Sequence, residues 1–284
     1  MKDLAMLFKL RLTFLVVISA VLGYFMGTST ADWSKLAALA MGGILLTGGS
    51  NGLNQVIERE WDKLMLRTMH RPIPAGRMHV REGIIISLIA GITGIVVLWV
   101  CINTAAGVLG LLAFFMYVAI YTPLKRISSL AVFVGAFPGA IPPMLGYVAA
   151  TNDYGVEAGL LFAMQFMWQF PHFWAIAWVA HDDYVRGGYK LLPFNEGRTK
   201  KTAYQILLYS LFLIPVSLLP WAIPLEKPLI GNIAAVVACI AGGVMAWFSF
   251  RLVKTCDMAD ARKVMFTSFF YLPLVQLFYV IDKL

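Results

Sequence analysis

Apolar runs of about twenty residues recur along the whole chain, each long enough to cross a hydrocarbon layer of roughly 30 Å as a helix. We read nine, at about 10–28, 33–57, 83–102, 105–122, 128–150, 156–180, 203–222, 228–250 and 264–281. In lipid a spanning segment must satisfy its backbone N–H and C=O groups internally, so this pattern predicts an all-α membrane protein, a bundle of about nine helices around a central cavity. Composition agrees: 60% of the 284 residues are hydrophobic and 13% charged, and the mean hydropathy of +0.77 lies outside the range of soluble domains. No large soluble domain fits between the runs, so residues 1–284 read as one domain.

A net charge of +8 raises nucleic acid as a partner, but the placement of the charges argues for topology instead. With nine spans and a cytoplasmic N-terminus, all of the 23 Lys and Arg except Lys35, Lys227 and Lys283 fall in the N-terminal segment or in loops after even-numbered spans. That is the positive-inside bias, and it puts the C-terminus outside. The first span follows Lys2, Lys9 and Arg11 without a small-residue cleavage site before the second, so it reads as a transmembrane helix and not a signal peptide. A bacterial inner membrane is the expected location. Cys101, Cys239 and Cys256 are too scattered for a metal or redox motif and read as packing residues.

Against this oily background, residues 51–77 (NGLNQVIEREWDKLMLRTMHRPIPAGR) stand out. Asn54, Glu58 and Asp62 are spaced four and four apart, which at 100° per residue puts them within about 80° on one helical face, with Asn51 at its edge. Polar groups at membrane depth are costly and mark function. Two carboxylates and an amide, followed by Arg67, Arg71 and Arg77, suit divalent cations and the phosphate oxygens they bridge. The alternative is a solvated helix end laced by local ion pairs.

The inner loops at about 58–82 and 181–202 are the longest. They suggest two similar halves of four helices each, with a ninth closing the bundle and both loops on the cytoplasmic face. The second region begins inside the membrane at Trp168-Gln169-Phe170-Pro171-His172. Pro171 removes a helical hydrogen bond and should bend its helix, letting Gln169 and His172 face a cavity. Asp182, Asp183, Arg186 and Lys190 follow, with Gly187 and Gly188 letting the backbone turn. Taken alone, His172 reads as a hydrogen-bonded core histidine and Asp183 as a solvated loop charge. Tyr121 to Arg126 (YTPLKR) ends the fourth span, where aromatic and basic residues are ordinary anchors. The fifth span holds Pro138, Pro142 and Pro143 among glycines, as cavity-lining helices do.

These parts fit one chemistry. An allylic diphosphate ionises when cations neutralise the leaving oxygen, and the allylic cation needs a dry, aromatic chamber. Mg²⁺ takes a few carboxylates plus phosphate oxygens, which two acidic clusters on facing loops can supply.

These motifs resemble the UbiA superfamily of intramembrane prenyltransferases over nearly the whole chain. Within it they are similar to the branch that farnesylates haem: Glu58 in place of the more usual Asp, Tyr121-Thr122-Pro123-Leu124-Lys125-Arg126, Gly139 to Tyr147, and Trp168-Gln169-Phe170-Pro171-His172-Phe173 with Asp183-Tyr184 and Leu192-Pro193. The second motif departs from the superfamily pattern, since Arg186 and Gly187 stand where further carboxylates are expected, so Asp183 acts alone there. The resemblance implies farnesyl transfer from farnesyl diphosphate to a vinyl group of haem B with addition of water, and a product passed to a haem-copper terminal oxidase directly or through haem A synthase. It implies Mg²⁺ on Asn54, Glu58, Asp62 and Asp183, phosphate contacts from Arg67, Arg71, Lys125 and Lys190, Tyr121 near the ionising carbon, and haem beside His172, Gln169 and Trp168. Two other readings stay open: prenylation of an aromatic quinone precursor, and a transporter whose two similar halves would give alternating access.

Overall fold

The computed structural model describes residues 1–195, 197–223 and 228–284; Lys227, used above for topology, lies outside the described residues. The described chain is helical throughout, in the order α1 (Lys2–Leu7), α2 (Leu10–Gly27), α3 (Trp33–Asp62), α4 (Val80–Cys101), α5 (Thr104–Phe115), α6 (Thr122–Ile127), α7 (Ala131–Thr151), α8 (Val156–Val179), α9 (His181–Arg186), α10 (Lys200–Ala222), α11 (Asn232–Thr255) and α12 (Met258–Ile281). Met116–Tyr121 forms a π-helical stretch between α5 and α6. Among the described residues eight helices are long and apolar enough to span a membrane, α5 and α6 counting as one continuous segment. The sixth expected span, α8, has the length, at 24 residues, but its Gln, His, Pro and Trp residues make it less apolar than the other eight.

The chain divides into two compact units. The first comprises Met1–Asp153 with Asp182–Lys190, and its long helices close a ring: α2 packs on α3, α3 on α4, α4 on α5, α5 on α7, and α7 back on α2. The α2–α7 contact is close because Gly23 and Gly146 lack side chains; a Cβ on Gly146 would overlap the Ala20 carbonyl, and one on Gly23 the Pro143 carbonyl. Small residues at such crossings let backbones approach where lipid offers no hydrophobic driving force. The second unit, Tyr154–His181 with Leu191–Leu284, is a four-helix bundle in which α8 and α11 each pack on α10 and α12. The expected halves of four and four with a closing ninth are therefore not how the helices group. The fifth long helix, α7, belongs with the first four because its small-residue face fits α2.

Helix α3 carries the first motif. Its N-cap, Asp32, accepts hydrogen bonds from the Ser34 and Lys35 N–H groups at 3.0 and 3.2 Å, and the helix then runs for 30 residues, about 45 Å at 1.5 Å per residue. That exceeds a hydrocarbon core by several turns, so one helix can hold both a membrane-buried stem and a charged end. The Cys101 and Cys239 thiols are exposed on helix faces, unlike the packing role expected of them.

Candidate active site

The face predicted on α3 is formed and buried. Asn51, Asn54, Glu58 and Asp62 are 2%, 1%, 4% and 0% exposed, which excludes the solvated helix end. The local ion pairs that such an end requires are made by Glu60, to Lys63 at 2.8 Å and Arg59 at 3.3 Å, while Glu58 points elsewhere. Its carboxylate pairs with the Lys125 ammonium, which is buried with it. Asp62 pairs through Oδ2 with Arg71 Nη1 at 2.6 Å.

Lys125 reaches Glu58 because of the helix that carries it. Pro123 has no N–H and its ring crowds the carbonyl one turn back, so the segment winds as a π-helix from Met116 to Tyr121. Thr122 Oγ1 donates to the Tyr117 carbonyl at 2.8 Å and receives Asn54 Nδ2 at 3.2 Å, tying this irregular segment to the motif helix. Tyr117 OH donates to Asn51 Oδ1 at 3.3 Å. The Tyr121 ring lies 5.0 Å from Lys125 Nζ and packs where Gly135 leaves room, since a Cβ there would stand 2.6 Å from the ring.

The two charged loops meet, as expected. Asp183 accepts the backbone N–H of Leu66 at Oδ1 and of Arg67 at Oδ2, each at 3.2 Å, and Arg186 Nη2 donates to Oδ1 at 2.8 Å. Arg67 in turn donates to the Tyr184 hydroxyl at 3.0 Å. The second-motif carboxylate thus fixes the loop that presents Arg67, and Asp182 is exposed. The Lys190 side chain is exposed as well, while its N–H donates to the Lys125 carbonyl at 2.9 Å.

Sequence reasoning missed Lys9, Thr122, Tyr117 and Tyr189 here. Tyr189 is buried with its ring 5.5 Å from Lys125 Nζ; burial, then the nearby Glu58 carboxylate, pushes its phenol up so that it stays protonated. Only its place after Gly187-Gly188 could have signalled it.

Among the described residues no three His, Cys, Asp or Glu side chains gather as a ready metal cage. The donor set still fits Mg²⁺. Asp62 Oδ1 is buried with no hydrogen-bond partner, a costly state that a cation would relieve, and Mg²⁺ needs only one or two carboxylates when phosphate oxygens and water complete its shell.

Trp168, Gln169 and His172 lie in the second unit, buried on α8. His172 stacks on Trp168 with ring centroids 4.2 Å apart and meets Phe269 edge-on at 5.0 Å. Its Nδ1 is 2.8 Å from Ser268 Oγ, and that hydroxyl donates its single proton to the Met265 carbonyl at 2.6 Å. Ser268 is therefore the acceptor, His172 carries its proton on Nδ1, and Nε2 keeps a lone pair. Trp168 Nε1 donates to the Ser268 carbonyl at 2.9 Å. Helix α8 runs unbroken through Pro171.

Membrane-length helices that bury a carboxylate face clamped by Lys and Arg place an ionic site inside a membrane protein. The UbiA prenyltransferase family model matches residues 16–272, and the chain belongs to that family. Among curated proteins it is 46% identical to Protoheme IX farnesyltransferase of Christiangramia forsetii, over all of this chain and 94% of that one. It is 45% identical to the protein of the same name from Cytophaga hutchinsonii, over 97% and 96%. Among solved structures, a digeranylgeranylglyceryl phosphate synthase aligns with a TM-score of 0.80 at 18% identity, covering 99% of this chain and 97% of that one. A UbiA homologue from Archaeoglobus fulgidus bound to GPP and Mg²⁺ aligns at 0.69 and 11%, covering 98% and 99%. At such identities these two establish the fold.

Proposed function

We propose that the chain joins C1 of farnesyl diphosphate to a vinyl group of haem B and adds water, giving haem O. The observation that carries this reading is the buried Glu58 and Asp62 pair, held between Lys125 and Arg71 with one Asp62 oxygen unpartnered. Relatives at 43–46% identity named Protoheme IX farnesyltransferase support haem as the acceptor.

Bound Mg²⁺ would neutralise charge on the leaving diphosphate, held by Glu58 and Asp62 with Asn54 and Asp183 as further ligands. Arg67, Arg71, Lys125 and Lys190 contact the remaining phosphate oxygens, so that charge developing on the bridging oxygen meets fixed cations. The Tyr121 ring lies beside the allylic carbon and shares the cation's charge. The C1–oxygen bond breaks as the vinyl's outer carbon takes C1. The cation left next to the porphyrin takes a water oxygen and releases a proton, so the products are haem O, diphosphate and one proton. His172, with Nε2 open, orients the haem as iron ligand or edge contact, with Gln169 and Trp168 beside it. The motif loops work on the cytoplasmic face of a bacterial inner membrane, and haem A synthase or a terminal oxidase takes the product.

The test is to incubate purified protein with haem B, farnesyl diphosphate and Mg²⁺ and to look for haem O by mass. Prenylation of 4-hydroxybenzoate with none of haem would move the assignment to the quinone-precursor enzymes. No product from either, with flux into proteoliposomes, would make the protein a transporter.

A further inference from the structure

The break between α1 and α2 is unusually well held. Gln55 Nε2 donates to the Met6 and Leu7 carbonyls at 2.9 and 2.7 Å, and Asn51 Nδ2 to the Phe8 carbonyl at 3.4 Å. Thr13 Oγ1 also donates to the Phe8 carbonyl, at 2.7 Å, and Leu7 is fully buried against Val56 and Ile73. Three neighbouring α3 side chains, at 51, 54 and 55, thus hold four consecutive residues, the last of them Lys9.

Lys9 sits at φ 47°, ψ 52°, a left-handed conformation that is strained for a residue with a side chain and persists only where its surroundings impose it. The result is that Lys9 Nζ donates to Asn54 Oδ1 at 3.0 Å, in the middle of the first motif. Its electrostatic neighbours are the cations Arg71 and Lys125 and the carboxylates Glu58 and Asp62. Both carboxylates are already paired, Glu58 with Lys125 and Asp62 with Arg71. Lys9 is the surplus cation of the cluster, bound to a neutral amide that satisfies one of its three donors.

A partly buried cation in excess beside two other cations is unfavourable until an anion joins it. We propose that Lys9 is a diphosphate-binding residue, carried to the first motif by the α1–α2 corner, where it donates to a phosphate oxygen of the prenyl substrate. The proposal rests on the reading of the site as a diphosphate site.

The test uses the full chain in detergent with Mg²⁺ and inorganic pyrophosphate as probe, measured by calorimetry, with haem B titrated separately by its Soret band. Lys9→Met should weaken pyrophosphate binding about tenfold or more, the worth of a charged hydrogen bond, and leave the haem titration unchanged. Lys9→Arg should stay within about threefold of the parent, since it keeps a cationic donor. Unchanged pyrophosphate affinity in Lys9→Met, with only a lower melting temperature, would overturn the proposal and leave Lys9 as an anchor for α1. If Lys9→Met does not fold, Lys9→Gln decides in the same way, because it keeps a donor towards Asn54 without the charge. A parent protein that binds no pyrophosphate would overturn the diphosphate reading of the whole site, an outcome distinct from failure of Lys9 alone.

Discussion

The two units hold polar groups in the apolar interior by different means. In the first, charge is concentrated at the end of one long helix and balanced by residues far away in sequence, Lys125 against Glu58 and Arg71 against Asp62. In the second, the buried carboxylate of Asp260 sits in the first turn of α12 against its sequence neighbour Lys263 at 3.1 Å, and the polar groups deeper in the helices form neutral pairs: Gln276 donates to Gln165 at 2.7 Å, Ser210 meets Ser249 at 2.9 Å, Ser217 meets Tyr271 at 2.5 Å, and His172 meets Ser268 at 2.8 Å. Ions are affordable only where a counter-ion or a ligand can reach them, which favours a helix end under two loops. Neutral pairs can sit mid-helix because each partner removes the other's desolvation cost. The first unit therefore gathers paired ions from distant parts of its chain, and the second surrounds His172 with aromatic rings and a neutral hydroxyl partner.

Four variants would break or sharpen that contrast. Asp62→Asn removes the carboxylate with the unpartnered oxygen and should cut turnover on the order of 10²–10³-fold, as loss of one preorganised transition-state contact does. Haem binding followed by the Soret band should hardly move; retained turnover would take the metal role from Asp62. Lys125→Met strands Glu58, and breaking a buried pair costs about 3–5 kcal/mol. The melting temperature in detergent should fall sharply, and Glu58→Gln added to it should restore part of the fall but no activity. Stability unchanged by Lys125→Met would mean that this pair is not desolvated.

The second unit should respond differently. His172→Ala should weaken haem binding about tenfold or more and change the haem spectrum, while pyrophosphate affinity stays within error. An equal loss of both would end the division of roles between the units. The smallest effect belongs to Ser210→Ala: hydrogen bonds between membrane helices average about 0.6 kcal/mol, so the melting temperature should drop by a degree or two with full activity. A drop as large as that of Lys125→Met would erase the distinction between ionic and neutral pairing.

Local patterns in the sequence carried much of this. The spacing of Asn54, Glu58 and Asp62 placed them on one face because four residues is a little over one helical turn, and the face is present and buried. The Trp168 to His172 stretch, read as facing a cavity, is buried on α8, where Trp168 and His172 meet Ser268. What could not be read were partners separated by long stretches of chain. Lys125 lies beyond two further helices from Glu58, and in sequence it is an interfacial anchor. That the Asp183 oxygens also receive the N–H groups of Leu66 and Arg67 is a contact between two loops that no local pattern encodes. Lys9 served only as a topological charge until the α1–α2 corner turned it onto Asn54.

By itself, then, the sequence determined the helical membrane class, the extent of most spans and the residue types gathered at the motif helix, because hydrophobic length and helical periodicity are short-range properties. Only the tertiary structure decided the grouping of helices into five and four, the pairing of each carboxylate with its cation, and the tautomer of His172. Those depend on which side chains leave room for close approach and on where each proton and charge finds a partner, and both are settled by packing across the chain.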